Sequence, residues 1–91
     1  MDIKNTCCKA LKKYGLKAQT MIFVEELGET LQALSKHERG GGSHELKDNL
    51  AQELADLYIT AKQMEIGYGI EKEVQYWISA KLKMLEKRIE D

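Results

Sequence analysis

Only three places interrupt a helical recurrence of apolar residues in this chain, and each is built from glycine: Gly15, the run Gly40 to Gly42, and the "GYG" of Gly67 to Gly69. No proline occurs anywhere, while leucine, lysine, glutamate, alanine and glutamine abound, a composition that favours helix over strand. Glycine gives up more backbone freedom than any other residue on entering a helix, so a glycine cluster is where a helix stops. The punctuation therefore predicts four helices and an all-α fold. The first runs from Asp2 to Tyr14, with Gly15 as the glycine just past its end. The second runs from near Lys17 to about His37, followed by a mobile loop from Arg39 to His44. The third starts from Ser43 or Asp48 as N-cap and carries Leu46, Leu50, Leu54, Leu57, Ala61 and Met64. The last carries Ile70, Val74, Trp77, Ile78, Leu82, Leu85 and Ile89 as one apolar stripe.

A chain of 91 residues is one domain, residues 1–91, able to bury roughly two-thirds of its unfolded surface, a core that association would strengthen. With 14 basic and 15 acidic side chains the net charge is -1, so no broad basic surface exists for a phosphate backbone and nucleic acid is not expected as a partner. No apolar run approaches the roughly 20 residues that span a bilayer, and the N-terminus lacks the apolar core of a secretion signal. No membrane partner is expected, and the expected location is the cytoplasm. Cys7 and Cys8 are adjacent, which suits neither a spaced metal motif nor an ordinary disulfide within a helix, so they read as reduced thiols.

The charges are less ordinary than their total. In "FVEELGETLQALSK" the leucines Leu27, Leu31 and Leu34 keep helical spacing, yet the same turns hold Glu25, Glu26 and Glu29 around Gly28. Glu26 and Glu29, three residues apart, are neighbours on a helix and repel. On the third helix, at 100° per residue, Glu53 falls among Leu46, Leu50 and Leu57, inside the stripe that should face the core, with Asp56 beside it. That helix is apolar over most of its circumference, as a central helix would be. An ionised carboxylate withdrawn from water costs several kcal/mol unless it is paired, hydrogen-bonded or bound to a cation. Two such pairs on antiparallel neighbouring helices make an oxygen-rich cage, of a hardness that suits Mg²⁺, with Mn²⁺ as substitute, rather than zinc. The competing reading is a solvated acidic face, which is common on helices; Glu53 in the apolar stripe weighs against it. Gly28 either lets a ligand or helix approach closely or is a tolerated defect.

Lys81 and Arg88 lie near Val74, Trp77 and Leu85 on the apolar side of the last helix. Such cations suit phosphates, although stems that reach past a core edge give the same pattern. His37 and His44 flank the glycine loop as solvated residues, and Tyr58 and Trp77 at helical spacing read as core.

The motif "EELGE" (Glu25 to Glu29), followed after a glycine-rich loop by "ELAD" (Glu53 to Asp56), resembles the MazG-like nucleotide pyrophosphohydrolases of the all-α NTP pyrophosphatase superfamily, whose hallmark is EExxE and then ExxD. The likeness extends to "YGLKAQ", with Gln19 seven residues before Glu26, and to "KLKMLEKRI" at the end. The resemblance implies a four-helix bundle assembled as a homodimer or homotetramer with sites completed across the interface. It implies Mg²⁺-dependent cleavage of a nucleoside triphosphate substrate to monophosphate and pyrophosphate. By motif position it makes Glu26, Glu29, Glu53 and Asp56 metal ligands, Glu25 or Glu29 the acid that takes the water's proton, and Gln19, Lys81 and Arg88 substrate contacts. Leu85 stands where some relatives have an asparagine, a departure from the pattern that the resemblance implies for any base or sugar contact at that position. Clustered carboxylates with Lys and Arg suffice for phosphoryl transfer, and neither a Walker-type loop nor a Ser-His-Asp set occurs. The alternative is a helical regulatory module that binds metal or nucleotide without turnover.

Overall fold

A computed structural model describes residues 2–91 and shows four helices and no strand among them. Helix α1 spans Ile3–Tyr14, α2 Leu16–Arg39, α3 His44–Gly67 and α4 Glu71–Glu90. Asp2 lies outside the first helix as its cap, its Oδ1 accepting from the Asn5 N–H at 3.3 Å. Gly15, at φ 89°, both ends α1 and begins α2. The glycine loop is tighter than the sequence suggests: α2 continues through Arg39, and Gly41 and Gly42 take φ of 73° and 71° before Ser43 caps α3 through a bond from the Leu46 N–H at 3.3 Å. Ser43, not Asp48, is the cap. Asp48 instead accepts from Gln52 at 2.8 Å within α3.

α2 and α3 form a long antiparallel hairpin, and α1 packs across both, mainly on α3. α3 thus touches every other helix, as its nearly all-round apolar character requires. The seam is lined from α2 by Gln19, Phe23, Glu26, Thr30 and Ala33, and from α3 by Leu50, Glu53, Leu57, Thr60 and Gln63. Two of the expected apolar faces differ from this. Leu27, Leu31 and Leu34 point outward, Leu31 being 70 % exposed, while Glu26 turns inward. Helix α4 forms as expected but is not packed into a bundle: its backbone approaches only α3, at the connecting turn, and none of its residues is buried. Trp77 at 55 % and Tyr58 at 75 % exposure are therefore not core residues.

The apolar core of the single chain is correspondingly thin. Cys7 and Ala33 are its fully buried apolar residues, joined by the buried polar side chains of Gln19, Thr60 and Gln63. Both cysteines are free thiols; burial pushes the Cys7 thiol up from its ordinary value, with Cys8 adding to the effect and Lys62 opposing it. No helix among the described residues is long and apolar enough to cross a membrane.

Candidate metal centre

Helical periodicity brings the acids together. Glu26 is four residues before Thr30 on the inner face of α2, and Thr30 Oγ1 donates to the Glu26 carbonyl at 2.7 Å and sits 3.3 Å from the Glu53 carbonyl on α3. This hydroxyl fixes the register of the hairpin directly below the acids. Glu53 and Asp56 then face Glu26 across the seam, and one carboxylate oxygen from each of the three lies within 4.8 Å of the others.

The arrangement is electrostatically unfavourable as it stands. Glu26 Oε2 and Glu53 Oε2 are buried and have no hydrogen-bond partner, although both residues are half-exposed as wholes. The Glu26 carboxyl is pushed above its ordinary value first by burial, then by repulsion from Glu29, Asp56, Glu53 and Glu25. Glu53 is raised first by burial, then by Glu29 and by Asp56. No lysine or arginine lowers either group. Buried carboxylate oxygens without donors and without a countercharge are what a hard cation satisfies, so the donor set fits Mg²⁺ or Mn²⁺.

Of the expected ligands, Glu26, Glu53 and Asp56 converge, whereas Glu29 is exposed and outside this group of three, though its charge raises both Glu26 and Glu53. Glu25 is exposed on the outer edge yet within electrostatic reach of Glu26. Gln19 shares the inward face but is buried in the seam, about 10 Å along α2 from Glu26 by helical rise. Lys81 and Arg88 are not at the cluster. They line a groove of about 580 Å³ along α4, together with Val74, Trp77, Leu82 and Leu85, and Lys81 Nζ sits 6.0 Å from the centre of the Trp77 ring. A Cβ added at Gly28 would meet nothing within 4 Å, so within one chain that glycine admits no close neighbour.

Thr30 contributes to the site without any motif to mark it, although it lies one turn beyond Glu26 on the face that bears the acids. No family model, curated protein or solved structure matches the chain.

Proposed function

We propose that the protein is a Mg²⁺-dependent nucleoside triphosphate pyrophosphohydrolase of the MazG-like kind, cleaving (d)NTP to (d)NMP and pyrophosphate in the cytoplasm as a house-cleaning step on the nucleotide pool. The observation that carries the reading is the pair of buried, unpartnered oxygens Glu26 Oε2 and Glu53 Oε2 in a three-acid cluster that no lysine or arginine among the described residues offsets. Glu26, Glu53 and Asp56 would hold the metal, with Glu29 completing the set. Bound there, Mg²⁺ would supply neutralisation and orientation of the triphosphate. Glu25 or Glu29 accepts the proton of the attacking water as its oxygen bonds to phosphorus and the α–β anhydride bond breaks, releasing pyrophosphate.

The reading includes a homodimer or homotetramer. Lys81 and Arg88 stand on a helix whose backbone does not approach α2, so they reach phosphates at the acids only from a second copy. The outward leucines of α2 and the open apolar face of α4 are the surfaces such an assembly would cover. Incubation with canonical and modified NTPs and dNTPs plus Mg²⁺ tests the activity, with monophosphate and pyrophosphate as expected products. Nucleotide that raises the melting temperature without being turned over would replace the enzyme by a regulatory binding module.

A further inference from the structure

Helix α4 leaves the body through a turn in which Gly69 takes φ 68°, the Gly69 N–H donates to the Ile66 carbonyl at 3.1 Å and the Ile70 N–H to the Glu65 carbonyl at 2.9 Å. Beyond that turn none of its residues is buried, and Val74 and Ala80 are its only half-buried apolar side chains, so apolar packing holds its direction weakly. A solvent-filled cleft of about 400 Å³, edged by Lys4, Lys62, Glu71, Lys72 and Gln75, lies at the root of α4. Ion pairs bind the edges of that cleft. Glu71, the first residue of α4, accepts from Lys62 of α3 at 3.0 Å and from Lys4 of α1 at 3.3 Å, and Lys62 also meets Glu65 at 3.5 Å. Three helices therefore meet at one carboxylate. Lys62 and Glu71 are each less than a third exposed, so this pair is less screened than a fully solvated one. The hydrogen bond from Lys62 holds the Glu71 carboxyl below its ordinary value, against the effect of burial and with help from Lys4.

Leverage makes this clasp matter. Arg88 lies 17 residues beyond Glu71, about 26 Å along the helix, so a 10° swing at the root moves it by roughly 4 to 5 Å. Misplacement by about 1 Å can cost a positioned group much of its effect.

We propose that the Lys4–Glu71–Lys62 clasp sets the direction of α4, which makes Glu71 a positioning residue for the cations Lys81 and Arg88. The direction of α4 is a property of the fold alone, whereas the role of Glu71 toward Lys81 and Arg88 rests on the pyrophosphohydrolase reading, and the two are tested separately. Spin labels at Lys12→Cys and Glu90→Cys in a Cys8→Ser background, diluted in excess unlabelled chain, report the α1-to-α4 distance within one protomer. Glu71→Gln and Lys62→Gln should each at least double the width of the distance distribution, as should 1 M NaCl on the unsubstituted clasp. Lys72→Gln, on the same cleft but in no ion pair, should leave it unchanged. Unaltered width in Glu71→Gln, or equal broadening by Lys72→Gln, would overturn the clasp. With an NTP that is turned over, Glu71→Gln should raise KM at least threefold while kcat stays within twofold. Broadening with KM unchanged would remove the positioning role. Absence of turnover in the parent chain would sink the enzyme reading while leaving the distance measurement to judge the clasp.

Discussion

Magnesium should stabilise this protein through Glu53, and the size of the effect follows from the geometry. Octahedral Mg²⁺ binds oxygen at about 2.0 to 2.1 Å, which places adjacent ligand oxygens about 2.9 Å apart. One carboxylate oxygen from each of Glu26, Glu53 and Asp56 lies within 4.8 Å of the others, so binding needs side-chain adjustment at most, without a change in the hairpin. The cation also relieves the repulsion that raises Glu26 and Glu53; we take an affinity of about 1 mM for free Mg²⁺, the weak end of the range for Ca²⁺ carboxylate loops. At 10 mM MgCl₂ the stabilisation is then RT ln 11, about 1.4 kcal/mol. For a chain of this length that is a rise in melting temperature of roughly 6 to 11 °C. Glu53→Gln removes a ligand and, with it, a repelled carboxylate. The variant should melt higher than the parent in EDTA, and its response to MgCl₂ should shrink to less than about 0.5 °C if affinity falls about 100-fold. Thermal denaturation by far-ultraviolet circular dichroism, with NaCl at matched ionic strength as control, reads both numbers. An equal magnesium response in parent and variant, or none in the parent, would refute the convergence of these acids on a cation.

The same cluster sets a pH dependence. Glu26 and Glu53 titrate above their unfolded values in the metal-free fold, so their ionisation destabilises it fully above the folded pKa; that destabilisation is relieved as pH falls from there to the ordinary value near 4.5. Metal-free melting temperature should therefore rise on mild acidification through that window, and saturating Mg²⁺ should flatten or reverse the trend. Thr30→Val keeps the shape but deletes the hydroxyl that ties the Glu26 turn to the Glu53 turn, and should cost about 1 kcal/mol in urea unfolding together with a weaker magnesium shift. Gly67→Val should cost about 1 to 3 kcal/mol, because a side chain there meets Leu16 and Leu11 where α1, α2 and α3 converge; unchanged stability would show that this junction repacks freely.

Local signals carried most of what was legible in the sequence. Glycine punctuation and the caps at Asp2 and Ser43 depend on a few adjacent residues, so the helix ends fell within one or two residues of expectation. The stripe from Leu46 through Leu50, Glu53 and Leu57 to Met64 does face the seam, because α3 is covered by both α1 and α2. For α2 and α4 the apolar stripe misled. Periodicity says which residues share a face, not whether that face is covered. Leu27, Leu31 and Leu34 share one that this chain leaves open, and so do Val74, Trp77 and Leu85.

That inversion bears on the candidate site. A hairpin free to choose would bury Leu27, Leu31 and Leu34 and leave Glu26 in water, since burying each leucine contributes about 1.5 to 3 kcal/mol and burying an unpaired carboxylate opposes folding. The rotation of α2 that turns Glu26 inward is favourable only where something else gains by it. Gln19, Phe23, Thr30 and Ala33 pack against α3 in that rotation, but Phe23 is the one large apolar side chain among them and does not offset three exposed leucines. The balance closes if the leucines meet a second copy while the inward acids meet a divalent ion, as the proposed assembly and metal centre supply. Stability should then rise with protein concentration and with Mg²⁺ together, each ligand strengthening the response to the other, because both favour the same rotation of one helix. Melting curves over a tenfold range of protein, with and without 10 mM MgCl₂, test this coupling: two responses that simply add would mean that the rotation of α2 is fixed by the chain alone.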